Sequence, residues 1–123
     1  MEMLFATTLD YLKTRQQFGV AIGTFQALQH RMADQYARLQ LSRSILYRAA
    51  LAGADEQPTA ITAAAAYVGP AAIELAEECV QFHGGMGVSD ETIVGHGLCR
   101  ILLLANLFGA PQDELTRYAT LAA

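Results

Sequence analysis

The chain has 123 residues, 53 % hydrophobic and 16 % charged, with eight Lys and Arg against twelve Asp and Glu for a net charge of −4. That balance excludes intrinsic disorder. The absence of a basic cluster excludes general nucleic-acid binding, which has to neutralise a phosphate backbone. No uninterrupted apolar run approaches the ~20 residues of a membrane span, and no basic segment followed by an apolar block marks a signal peptide.

A charged fraction this low in so small a domain predicts that part of the surface is buried against other chains. Cys79 and Cys99 read as free thiols of a reducing compartment, which places the protein in the cytoplasm. Alanine is the commonest residue, with 22 copies. With abundant Leu and no sustained alternation, this predicts helices and no strands.

In chain order, Glu2 to Arg15 places Leu4, Phe5, Leu9, Tyr11 and Leu12 at helical spacing, with Lys13 and Arg15 in the last turn. Phe18-Gly19 breaks that helix. Thr24 then reads as the N-cap of a second helix about thirty residues long, with Phe25, Leu28, Met32, Tyr36, Leu39 and Leu46 on one stripe as the strongest amphipathic signal in the chain. Gly53 to Pro58 reads as a loop. A third helix over Thr59 to Phe82 is expected to kink at Gly69-Pro70 rather than divide there.

A fourth helix is expected to open at Ser89 to Glu91 and close near Phe108, with Gly109 following it. It is apolar nearly all round from Ile101 to Leu104, which predicts burial on more than one side. Pro111 opens a short last helix with Asp113 and Glu114 in its first turn. The fold class is therefore all-α, an up-and-down four-helix bundle with a short extra C-terminal helix, and residues 1–123 form a single helical domain.

Little along the chain carries reactive chemistry. His30, His83 and His96 lack metal-ligand spacing, as do the two cysteines, so no metal site is expected. No nucleophile elbow surrounds Ser42 or Ser44. Glu74, Glu77 and Glu78 read as a solvated helix face. Two stretches differ from this background: Arg15-Gln16-Gln17-Phe18-Gly19, and Gln81-Phe82-His83-Gly84-Gly85-Met86-Gly87. An arginine grips pyrophosphate with two parallel hydrogen bonds, and a glycine turn lets backbone N–H groups approach a phosphate or an adenine edge. Each stretch alone also fits a plain helix-ending turn.

Together with Tyr11-Leu12-Lys13-Thr14 before the first stretch and Ile22-Gly23-Thr24-Phe25-Gln26-Ala27-Leu28-Gln29-His30-Arg31 after it, these motifs resemble the C-terminal helical domain of the acyl-CoA dehydrogenase family. The ending, Gly95-His96, Arg100 and Leu107-Phe108-Gly109, is most similar to a bacterial subgroup that includes pimeloyl-CoA dehydrogenase small subunits. The resemblance implies an FAD enzyme that desaturates an acyl-CoA between Cα and Cβ. This domain would then complete the FAD site of a neighbouring subunit.

By motif position, the resemblance gives Arg15 the FAD pyrophosphate and puts Gln17 and Phe18 beside the phosphates and adenine. It puts Ile22, Phe25 and Gln26 along the adenosine, and Gln81, Gly84 and Gly85 against the ADP moiety. It further implies a homo-oligomer, dimer or tetramer, or a partner acyl-CoA dehydrogenase subunit. The family's N-terminal helical and middle β domains are absent from this sequence. The position where many members carry the catalytic Glu falls on Phe108, which cannot take a proton, so no catalytic residue is assigned. Gly97 stands where the family carries an aromatic residue, and a looser start to the fourth helix is expected from it. The alternatives are a flavin-free helical assembly module and a small binder of an adenine nucleotide such as CoA.

Overall fold

The computed structural model describes residues 1–107 and 109–122. It contains the helices α1 (Glu2–Thr14), α2 (Gln26–Leu51), α3 (Gln57–His83), α4 (Ile93–Asn106) and α5 (Pro111–Leu121). The first four form the bundle, and α5 lies along α3. Helix α3 is central and packs against each of the other four. It runs unbroken through Pro70, with Pro58 in its first turn, where a missing N–H costs nothing.

The main core joins Leu4 of α1, Leu39 of α2, Leu75, Ala76 and Cys79 of α3, and Val94 of α4. A second cluster, Leu12, Ile22, Met32 and Phe82, lies at the end where α1 meets α2. Burial pushes the Cys79 thiol up from its usual range, which makes it a small hydrophobe rather than a nucleophile. Cys99, in contrast, is exposed.

The structure corrects several expectations. A two-stranded antiparallel ribbon follows α1, pairing β1 (Gln16–Gln17) with β2 (Val20–Ala21). Two residues per strand are too few to produce a readable alternation. Thr24 does not cap α2. Its hydroxyl donates to the Ala21 carbonyl at 2.7 Å and closes a 3-10 turn over Ile22–Thr24, so α2 starts after Phe25.

The predicted stripe on α2 is also only partly inside. Met32 and Leu39 are buried beside Gln35 and Ser42, while Tyr36 and Leu46 are half exposed. Gly97 does not loosen α4. A methyl group there would stand 2.5 Å from Leu4 Cδ2, so the missing side chain is what lets α1 and α4 touch. Glu74 and Glu78 are not free on a solvated face, since they pair with Arg38 and Arg31 across the α2–α3 seam at 2.7 Å each.

Helix α4 departs most from expectation. Within this chain only Val94 is buried, and Ile93, Leu102, Leu103, Leu104 and Leu107 all face outward at 40 % exposure or more. The predicted end of α4 at Phe108 lies outside the described residues. By length and composition the stretches Gln57–Val88 and Ile93–Leu121 would pass for membrane spans. The first is the bundle's central helix with the glycine turn after it, and the second is the two helices α4 and α5.

Candidate functional site: a groove between the hairpin and the glycine turn

The end of α1, the β-hairpin, the start of α2 and the end of α3 enclose a groove of about 880 Å³. The sequence dictates its two lips. The first is the hairpin tip, where Phe18 has φ 54° and Gly19 φ 81°. A two-residue hairpin loop of type I′ has positive φ at both central residues, as here, and glycine supplies one at no cost. Phe18 supplies the other against its own preference, at about 1–2 kcal/mol for a bulky residue in the left-handed region. The residue is 91 % exposed, and among the described residues its aromatic contact is the edge of Phe25, with centroids 6.2 Å apart. Little within the chain offsets that strain.

The second lip is the 3-10 turn Gly84–Val88 after α3. Gly84 sits at φ 60° and ψ −138°, a conformation close to glycine-only. Gly85 differs in its φ, which is not positive, and a methyl group on it, as on Gly84, would meet nothing within 4 Å. The fold itself therefore does not require glycine at 85. We expect Gly85→Ala to leave stability unchanged or to raise it by up to about 1 kcal/mol, through the lost flexibility of the unfolded chain. A urea midpoint below wild type would show a packing need the structure does not contain.

Eight of the nine residues singled out in the sequence line this groove: Arg15, Gln17, Phe18, Ile22, Phe25, Gln81, Gly84 and Gly85. Gln26, the first residue of α2, stands outside its wall. Arg15 is exposed and makes no ion pair among the described residues. Its backbone is fixed, since its carbonyl accepts from Ile22 N–H at 2.8 Å and its N–H donates to Tyr11 at 2.8 Å. A free guanidinium on a fixed backbone, beside an exposed aromatic ring and open glycines, suits an anionic, planar ligand.

Tyr11, Arg31, Phe82 and His83, which stand in the sequence motifs but are given no site role there, also line the groove. Arg31 holds Glu78 with two hydrogen bonds, Nε to Oε2 at 2.9 Å and Nη2 to Oε1 at 2.8 Å, and its guanidinium lies 5.0 Å over the Phe82 ring. The bond to Glu78 raises its pKa further above an already high ordinary value, so it stays charged. Tyr11 stacks on His83 with ring centroids 4.2 Å apart. The signal for Arg31 was present in the sequence as one arginine and one glutamate, but 47 residues separate them and only the fold pairs them.

The profile of the family described as "Acyl-CoA dehydrogenase, C-terminal domain" matches residues 1–117. Acyl-CoA dehydrogenase IpdE2 of Mycolicibacterium smegmatis is 34 % identical over 110 residues, covering 89 % of this chain and 34 % of that protein. The 3-sulfinopropanoyl-CoA desulfinase of Paraburkholderia xenovorans is 40 % identical over 85 residues, covering 68 % and 22 %. Among solved structures, acyl-CoA dehydrogenase from Geobacillus kaustophilus superposes with a TM-score of 0.87 at 26 % identity, covering 97 % of this chain and 32 % of that one. PigA, solved with FAD and proline, gives 0.88 at 29 % identity, covering 97 % and 32 %. The chain thus spans about a third of the length of IpdE2 and of these two structures. The hairpin and the glycine turn both fall inside the matched region, and over residues 1–117 the chain belongs to the acyl-CoA dehydrogenase family, as its C-terminal helical domain.

Proposed function

We propose that this chain is the C-terminal domain of an FAD-dependent acyl-CoA dehydrogenase, holding the ADP half of FAD in the groove and closing a site shared with a neighbouring subunit. It is not catalytically complete alone. The observation that carries this reading is Phe18. A bulky ring held at positive φ and left 91 % exposed gives the isolated chain almost nothing, and strain of that kind collects where a ligand or partner is met.

The residues fit the cofactor. Arg15 would take the pyrophosphate, Phe18 and Phe25 the adenine face, and Gly84 and Gly85 the close approach of backbone to ribose and phosphate. Bound FAD would supply the hydride acceptor for α,β-desaturation of an acyl-CoA. This chain's residues would bind and orient its nucleotide end. The outward leucines of α4 support assembly into a dimer or tetramer, or onto a partner acyl-CoA dehydrogenase subunit. The two unpaired cysteines and the several bacterial relatives support a bacterial cytoplasmic location.

The test is size-exclusion chromatography with light scattering and a visible spectrum after FAD is added, on wild type and Arg15→Ala. Wild type is expected to carry a flavin band on an oligomer. Arg15→Ala should bind FAD about 10- to 100-fold more weakly, the loss of one charge-assisted bidentate contact. Unchanged binding would remove Arg15 from the site. A flavin-free oligomer of wild type would favour the second reading, an assembly module alone, for which the exposed α4 face is the specific observation.

A further inference from the structure

Arg31 borders the groove, yet its side chain is already committed. Its Nε and Nη2 donate to the two carboxylate oxygens of Glu78 at 2.9 and 2.8 Å, and its guanidinium carbon lies 5.0 Å over the Phe82 ring. Glu78 and Phe82 stand one turn apart on α3, so a single side chain of α2 grips that helix at two successive levels. Phe82 is itself buried among Leu12, Ile22 and Met32, which gives the grip a fixed floor. The glycine lip follows two residues later, and Gly84 N–H donates to the Gln81 carbonyl within the gripped turn.

The two groove arginines differ in charge balance as well. Arg15 makes no ion pair among the described residues, whereas Glu78 offsets Arg31 at 2.7 Å. A ligand anion that drew Arg31 away would strand the Glu78 carboxylate, whose side chain is only 25 % exposed.

Resting on the nucleotide reading above, we infer that Arg31 is a positioning residue. It holds the last turn of α3, and with it the Gly84–Val88 lip, in place for the ligand, and leaves the ligand's anion to Arg15. Both the fork on Glu78 and the flat face on Phe82 are used, so lysine, a compact point charge, does not replace it.

The rival account is direct contact between Arg31 and the anion, and Glu78→Gln separates the two by sign. ADP is the probe, titrated calorimetrically into wild type, Arg31→Met, Arg31→Lys and Glu78→Gln. A contact arginine freed from its carboxylate would bind ADP more tightly. A positioning arginine loses its anchor, and all three variants should bind ADP about 5- to 10-fold more weakly, the scale of one lost charged hydrogen bond. Tighter binding by Glu78→Gln, or rescue by Arg31→Lys, would overturn the inference.

Backbone ¹⁵N order parameters of the folded variants, without ligand, give a second readout. Those of Gly84 to Ser89 should fall from about 0.85 toward about 0.6, while those of α4 stay at the wild-type level. A clasp that only stabilised the bundle would change the folded fraction and not the mobility of the folded turn, so unchanged values at the turn would also overturn the inference. If wild type binds no ADP, the nucleotide reading fails by itself, and the order parameters still decide whether Arg31 fixes the turn.

Discussion

Leu75→Ala should lower the stability of the chain by about 2–5 kcal/mol, the range for truncating a buried leucine whose surroundings relax only partly. Leu75 has no exposed surface and sits among Leu4, Leu39, Ala76, Cys79 and Val94. It belongs to the helix that all the others touch, so the cavity would lie where α1, α2, α3 and α4 meet. Leu51→Ala is the control. At 84 % exposure it should shift stability by no more than about 0.5 kcal/mol. Urea denaturation of the two variants beside wild type reads the contrast. Equal effects would mean that this cluster is not the core on which the bundle depends.

Gly87→Ala should be the most damaging change in the glycine turn. A methyl group there would lie 2.5 Å from the Val80 carbonyl oxygen and 3.0 Å from its Cα. Both are backbone atoms in the last turns of α3, so no side chain can swing aside. The cost should reach the upper end of the roughly 1–3 kcal/mol range for overpacking. It should also reach the groove, because the neighbouring Met86 carbonyl anchors the hydroxyls of Ser89 and Thr92, at 3.0 and 2.9 Å. Displacing the turn would move Gly84 and Gly85 with it. Melting temperature and nucleotide titration on Gly87→Ala, set against Gly85→Ala, separate the two roles. A Gly87→Ala variant as stable as wild type would mean the turn is not seated against α3 as described.

The helices were legible because their signals are local. A period of 3.6, Gly and Pro as punctuation, and Pro111 followed by two acids are all written within a few neighbouring residues. The groove was legible in part for a different reason. Arg15 to Gly19 and Gln81 to Gly87 are unusual even as short strings, although only the fold brings them together. What stayed hidden depended on distance or on negative space. The Arg31–Glu78 clasp joins residues 47 apart. Glu114 reads as a first-turn charge, yet it is buried and tied to Arg117 at 2.7 Å. Gly97 reads as a defect until Leu4 is seen filling the space it leaves. Thr8, Gln35 and Ser42 lie in the interior at three- and four-residue spacing from Leu4, Leu12, Met32 and Leu39, but their polarity gives no reason to place them there.

The outward leucines of α4 also bear on the total area of the chain. Its accessible surface is 7695 Å². A compact monomer of 13.3 kDa exposes about 6,500 Å². The excess, roughly 1,200 Å², exceeds the ~800 Å² that one partner gives up in a standard protein interface. If the proposed assembly covers that surface, the folded state is stabilised by mass action, and the melting temperature is expected to rise with protein concentration, so that dilution would act as a mild denaturant.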